Sequence, residues 1–295
     1  MRILLPLLAL TLAACTGAPV REGTPASANA GLAQAERAAR LLAGEYSGGE
    51  SRDRSQAAGL VRLVAEVERI GREGVSVRLT QFAEDGGERQ FRLVFEPGTT
   101  PNRLNGRFAP IAPDGSARTA CPLEIVLREG GFIARTSAES CRFGSGPDAS
   151  ALIKEIAHDG WTLVIGDRVV DPESGQARMS DRVLELQRLV RFEGWAGVRD
   201  QADSAWRLAR PFRLLSDGVP VALQDAAGMP LEIELELAPH RVSEDRPAVF
   251  RLRVFEAASG DLIAQSWAAL DSGSLGLALP RFQAGLARSG SPVPE

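Results

Sequence analysis

The chain is predicted to be mainly β: an antiparallel sheet or barrel preceded by one short N-terminal helix and followed by a second strand-rich domain. Three observations predict it. Apolar residues alternate with polar ones through most of the sequence, as in Val75-Val77-Leu79 and Phe91-Leu93-Phe95. Gly-rich turns such as Gly71-Arg72-Glu73-Gly74 and Gly130-Gly131 separate the alternating runs. At 295 residues the chain is longer than one average domain and long enough for two cores.

At the start, Arg2 precedes an apolar run from Ile3 to Leu12 that stops at Leu12-Ala13-Ala14-Cys15. The run is too short to span a bilayer as a mature helix, and its charged start and small-residue end follow the pattern of a secretory signal. The cysteine at its end makes this a bacterial lipoprotein pattern. Residues 1–14 are then removed and Cys15 carries lipid, the alternative being an ordinary signal peptide with a chance cysteine. Several acyl chains, at about 0.8 kcal/mol per buried methylene, anchor far better than one. Thr16 stands where an Asp would signal inner-membrane retention. The expected location is the cell envelope, lipid-anchored at the outer membrane and facing the periplasm.

Residues 15–29, rich in Gly, Ala, Pro, Ser and Thr, read as a lipidated cysteine with a flexible tether. Asn29 is a plausible N-cap, Leu32, Ala35, Ala39 and Leu42 recur at helical spacing, and Gly44 stands where a C-terminal cap belongs. Residues 30–182 form the first β domain. Within it Leu60 to Ile70 fits either period: Leu60, Leu63, Val64 and Val67 a helix, Val61, Leu63, Ala65 and Val67 a strand. Residues 183–289 form the second domain, with strands at Leu184 to Gly197, Ala205 to Leu215, Leu231 to Leu237, Ala248 to Phe255 and Leu262 to Ala268. Helical periodicity returns weakly near the C-terminus, and 290–295 reads as a tail.

The composition, 44% hydrophobic and 24% charged with a net charge of -4, is that of an ordinary globular protein. Basic residues are interspersed with acidic ones and no Arg run alternates with aromatics, so no nucleic-acid partner is expected. Nearly all positive charge is Arg; Lys154 is the sole lysine, which reads as nucleotide-composition bias. With Cys15 assigned to lipid, Cys121 and Cys141 remain as an even pair. They flank a hairpin signal, Leu123-Ile125-Leu127 and Phe132-Ala134-Thr136 about Gly130-Gly131. A structural disulfide is the first reading; two free buried thiols, or a redox or metal role, are the alternatives.

Catalytic constellations are thin. The two histidines, His158 beside Asp159-Gly160 and His240 next to Pro239, read as solvated turn residues, which leaves little for a Ser-His-Asp triad or a His-rich metal site. Gly144-Ser145-Gly146 fails as a dinucleotide fingerprint because Pro147 follows and no parallel unit surrounds it. No cofactor or metal is expected. A barrel not filled by side chains has a mouth, where polar groups orient an apolar ligand. Tyr46, Gln81, Arg89, Gln90, Arg92 and Arg168 are the ligand-binding candidates, and Asp167 and Glu45 the weak catalytic ones. An Arg pair suits carboxylates. The same residues also read as an Asp167-Arg168 strand-end ion pair and a solvated Arg89 face.

The order of features over about residues 38–178 resembles the CpcT/CpeT family of phycobiliprotein chromophore lyases. The resemblance runs from Leu41-Leu42-Ala43-Gly44-Glu45-Tyr46-Ser47, through Arg89-Gln90 and the cysteine-flanked hairpin, to Asp159-Gly160-Trp161 and Gly166-Asp167-Arg168-Val169-Val170-Asp171 with Gly175-Gln176. It implies a calycin-type, lipocalin-like barrel, a strand at Leu60 to Ile70, and delivery of a linear tetrapyrrole to a protein thiol. In that case Asp167 or Glu45 donates a proton and Arg89 or Arg168 holds the propionates. Gly48 replaces the family's Asn, Thr80-Gln81 its Glu-Gln pair and Val169 its Gly, and aromatic content is only 5%. Family chemistry is cytoplasmic, whereas this chain reads as exported.

The functional expectation is an envelope lipoprotein whose barrel binds an apolar or bilin-like small molecule, with lyase activity implied by the resemblance alone. The alternative is a non-enzymatic envelope assembly factor that binds another protein along a sheet edge.

Overall fold

A computed structural model describes residues 25–51, 60–83, 85–201, 203–243 and 246–289. The signal segment, Cys15, most of the tether and the 290–295 tail lie outside the described residues. Helix α1 spans Pro25–Leu42, four residues earlier than the Asn29 cap. A proline is well placed in a first turn, where its missing N–H has no intrahelical partner to lose.

Ten antiparallel strands close into a calycin-like barrel. Around the wall run β1 (Gly44–Ser51), β2 (Leu60–Gly71), β3 (Gly74–Ala83), β4 (Glu88–Pro97), β5 (Arg103–Ile111), β6 (Cys121–Arg128) and β7 (Gly131–Arg135). The short β8 (Arg142–Phe143) takes over from β7 along β9 (Ser150–His158). Then β10 (Thr162–Val170) and β11 (Arg182–Leu189) complete the circuit, β11 pairing with β1. Gly48 has a reason here: a Cβ at that position would collide with the Glu185 carbonyl across the closing seam.

Leu60 to Ile70 is strand, paired with β1 and β3. The barrel ends at Leu189, not Arg182, because a closed barrel needs β11 to pair on both sides. The single strand expected at Leu184 to Gly197 is therefore two strands in different sheets, divided at Val190.

Side chains alternate faithfully. Val75, Val77 and Leu79 of β3, Leu93 and Phe95 of β4, and Ile156 of β9 point inward and are almost wholly buried. Outside, Glu68 pairs with Arg78 and Arg92, Glu96 with Arg107, and Glu155 with Arg135. An apolar inside and a charged outside are the inverse of a membrane barrel.

The two ends differ. At one end the turns are tight, as at Gly71–Gly74, Arg128–Gly131 and His158–Thr162. There α1 lays Ala35, Ala38, Ala39 and Leu42 on the barrel core and closes it. At the other end the connections are longer, and one carries a disulfide. Cys121 and Cys141, 20 residues apart with Cα atoms 4.9 Å apart, are bridged where β7 gives way to β8.

Beyond Val190 lies a sandwich of two four-stranded antiparallel sheets. The strands are β12 (Arg191–Val198), β13 (Arg207–Leu215), β14 (Val221–Gln224), β15 (Pro230–His240), β16 (Val249–Glu256), β17 (Leu262–Ala269), β18 (Ser274–Ala278) and β19 (Phe282–Arg288). One sheet runs β13-β12-β19-β18 and the other β14-β15-β16-β17. Their core is separate from the barrel's, with Phe192, Leu235, Leu237, Phe250, Leu252 and Leu286 at its centre. The C-terminal segment is a strand pair rather than helix, since Phe282, Ala284 and Leu286 alternate inward. Trp161, from the β9–β10 turn at the helix-capped end of the barrel, packs edge-on against Phe250 of this core, ring centres 5.3 Å apart.

Candidate functional site

Strand parity divides the expected site residues. In β4, Phe91, Leu93 and Phe95 face inward, so Arg89 shares their face while Gln90 and Arg92 point out. Arg92 is held on the outer wall by Glu68. In β10, Leu163, Ile165 and Asp167 face inward, which turns Arg168 outward to pair with Asp181. Glu45 lies on the outside of β1 between Arg62 and Arg191. Burial pushes the Glu45 carboxyl up, and the two guanidiniums outweigh it, leaving it below the usual carboxylate range. Gln90, Arg92, Arg168 and Glu45 therefore do not share a site with Arg89 and Asp167.

Three candidates do meet. Gln81, Arg89 and Asp167 line the open end together with Leu79, Phe91, Phe108, Lys154, Ile156 and Arg182 around a cavity of about 40 Å³. By the usual volume per site this holds about two or three waters, and the barrel below it is filled by side chains.

At the centre is the residue the sequence reading passed over. On β9, Leu152, Lys154, Ile156 and His158 form the inward row, so the chain's one lysine points into the barrel and is 3% exposed. Its Nζ pairs with Asp167, its direct cross-strand neighbour on β10. The ammonium also lies 4.4 Å from the Phe108 ring centre and 5.5 Å from that of Phe91, two rings stacked on each other at 5.3 Å. These are the distances of cation–π attraction. Burial pushes the lysine's pKa down and the nearby Arg182 adds to this, while Asp167 opposes both. Asp167 is the next register partner of Arg182 as well. Among the described residues, the mouth thus places Lys154, Arg89, Arg182 and Asp167 on one small cavity, a setting that favours an added anion.

Tyr46 is at the other end, far along the row from the mouth, and has a structural role. Its hydroxyl donates to Leu42 O at 2.7 Å and accepts from Arg188 Nη2 at 2.7 Å. It lies 3.0 Å from His158 Nε2. Gly160 N donates to His158 Nδ1, so a neutral ring carries its proton on Nε2 and gives it to Tyr46. Arg188 also donates to the Leu41 and Ala43 carbonyls, capping the C-terminal turn of α1. A Cβ on Gly44 would fall 2.6 Å from Arg188 Nη1, which is why glycine follows the helix here.

Burial, and then the charge of Arg188, pushes His158 down from 6.5 to about 4. Burial drives Tyr46 up to about 12 against the pull of Arg188. His158 is therefore not a solvated turn residue but a buried neutral ring stacked on Phe132. His240 is half-buried and lies against Trp267, ring centres 5.2 Å apart, on the outer face of the second sandwich sheet.

Cys15 lies outside the described residues. Among those described, no helix is long and apolar enough to cross a membrane. No protein-family model matches the chain, and no curated protein matches it.

Proposed function

We propose that the chain is a lipid-anchored envelope protein whose CpcT/CpeT-like barrel holds the anionic end of a small amphipathic molecule at its mouth. The observation that carries this is the buried Lys154, which lines one small cavity with Arg89, Arg182 and Asp167 and is floored by Phe91 and Phe108. A barrel interior is ordinarily packed with apolar side chains, and a Leu or Met at position 154 would fill the space with no charge to desolvate. Keeping a lysine there makes sense if its charge is used.

The size of the cavity narrows the ligand. A space of about 40 Å³ takes a carboxylate or a comparably small group, with the apolar remainder of the ligand lying across the mouth. A linear tetrapyrrole fits the reading only through its propionates. The lyase chemistry of the resembled family would then take place outside the barrel, with Asp167 the acid that lines the mouth among the described residues. Arg168 and Glu45 have no part in this reading.

The test is calorimetric titration of the full chain in detergent with a fatty acid, with biliverdin and with glycolate. Saturable binding that weakens in Arg89→Gln supports the mouth, and absence of heat with all three ligands rejects it. The anchor is tested apart: Cys15→Ser must abolish lipid incorporation and membrane partitioning.

A second reading, an assembly factor that docks another envelope protein, rests on Ile263 and Trp267. Trp267 projects from the outer face of β17, at the end of its sheet, 44% exposed beside Arg251, and Ile263 is exposed at the bulge of the same strand. Changing Trp267→Ser and Ile263→Thr together would then remove an envelope cross-link while leaving ligand binding at the mouth intact.

A further inference from the structure

We infer that Lys154 is a carbonyl-capturing amine: it forms an imine with a small aldehyde or keto acid whose carboxylate is held by Arg89 and Arg182 at the barrel mouth. The inference rests on the anion-binding reading of the mouth and gives it a substrate class.

The geometry carries it in three steps. First, the amine is placed where imines survive. Lys154 is almost completely buried on the inner face of β9, with the Phe91 and Phe108 rings on one side. A carbonyl compound bound there displaces the waters that the cavity holds, about two or three, which leaves little room for water to hydrolyse a C=N bond. Second, the same cavity that Lys154 lines admits a group of about two or three heavy atoms, enough for a carbonyl and its neighbouring carbon. The cations that would hold an attached carboxylate, Arg89 and Arg182, line that cavity too. Third, a base for the reaction is in contact. Asp167, paired directly with the ammonium, is about one third exposed at the mouth, so it faces both the amine and the incoming water or carbonyl.

The step balances without any further reactant. The ammonium of Lys154 passes a proton to Asp167, and the freed electron pair on Nζ attacks the carbonyl carbon. The Nζ–C bond forms as the C=O π bond opens onto oxygen, and a second proton passes from the attacking nitrogen to that oxygen, leaving a neutral carbinolamine C–OH. Asp167 returns its proton to that hydroxyl, which leaves as water while nitrogen lone-pair electrons form C=N. The product iminium keeps the positive charge of the ammonium it replaces, so its pairing with Asp167 is preserved. The downward push on the lysine's pKa acts in the same direction by raising the share of free amine.

The sole lysine makes the test clean, since no other side-chain amine competes. The full chain in detergent is incubated with glyoxylate and sodium cyanoborohydride, then read by intact mass and peptide mapping. In parallel, calorimetry follows the binding of glycolate, which has the carboxylate and no carbonyl. The expected result is one carboxymethyl group on Lys154, forming about tenfold faster in the folded chain than in the chain unfolded in urea, because the folded site holds the carbonyl against the amine. Glycolate slows it, Arg89→Gln slows it, and Lys154→Arg abolishes it.

The comparison of folded with unfolded wild-type chain does not depend on any variant folding. Glycolate binding with no adduct, or with an adduct formed no faster than on the unfolded chain, overturns the imine and leaves the anion site standing. Absence of both glycolate binding and adduct overturns the mouth reading as well.

Discussion

Lys154 on β9 and Asp167 on β10 are direct register partners at the open end of the barrel, and their ion pair is lopsided: the lysine side chain is 4% exposed and the carboxylate 34%. The cost of burial falls on the cation, and Asp167 is the group that offsets it. Replacing Asp167 with Asn leaves a buried charge whose remaining attraction comes from two aromatic rings. The expected loss is about 2 kcal/mol, below the figure for a fully buried pair because water reaches the carboxylate. Lys154→Met removes the charge itself and is expected to be within about 1 kcal/mol of wild type, or more stable. Urea-unfolding midpoints of the two variants check this; equal losses in both would contradict a lysine kept for its charge.

At the helix-capped end, His158 is neutral when folded down to about pH 4 but protonates near 6.5 when unfolded. Between these values the unfolded chain binds the extra proton, so stability falls as pH drops from about 6.5 to about 4 and is fully present above 6.5. The contribution is on the order of 3 kcal/mol. Protonation would also set an Nδ1 proton against the Gly160 N–H that now donates to it. His158→Gln should flatten this part of the stability profile relative to wild type. Unchanged slopes between pH 4.5 and 7 in the two proteins would show that the ring does not titrate as its burial requires.

Arg188 joins α1 to the barrel by donating to Leu41 O, Ala43 O and the Tyr46 hydroxyl. Arg188→Leu removes three hydrogen bonds from a partly buried site, at about 1 kcal/mol each. The expected effect is a loss of about 3 kcal/mol together with faster amide exchange in the last turn of α1, residues 39–43. Exchange that rises equally throughout the barrel would mean that Arg188 supports the whole fold and not the helix cap.

Much of the architecture was legible because one face of nearly every strand is buried. Alternation identified many of the strands, β3, β4, β6, β7 and β10 among them, and Cys121 and Cys141, which flank the hairpin about Gly130-Gly131, are bridged, with Cys141 arriving past the end of β7 at the start of β8. The same rule, applied residue by residue, separates Arg89 from Gln90 and Asp167 from Arg168. Grouping them as sequence neighbours put opposite faces of one strand into one site. Lys154 and His158 were missed for a related reason. Each was judged by its residue type, a stray lysine in an Arg-rich chain and a histidine beside a turn, whereas Ile156 between them already marks their shared face as inward. Barrel closure by β11 had no local signal, since pairing between residues 140 positions apart is set by the whole sheet.

The disulfide ties β6 to the start of β8 beside the mouth, where β7 has ended. Its loop of 20 residues predicts a contribution of about 3 kcal/mol from restricting the unfolded chain. Reduction, or Cys121→Ser with Cys141→Ser, should lower the unfolding midpoint accordingly and, by loosening the wall next to Lys154, weaken glycolate binding. A midpoint insensitive to reductant would show the bridge to be dispensable.

The most direct measurement uses the fact that the chain has one lysine. Labelled with ¹³C at lysine Cε, the protein gives a single lysine cross-peak, and that peak reports Lys154 alone. With a carboxylate site at the barrel mouth, adding glycolate moves the peak saturably, and Arg89→Gln requires about tenfold more ligand, the loss of one charge-assisted contact. A peak that stays fixed through the titration, in a chain that remains folded, would contradict the site.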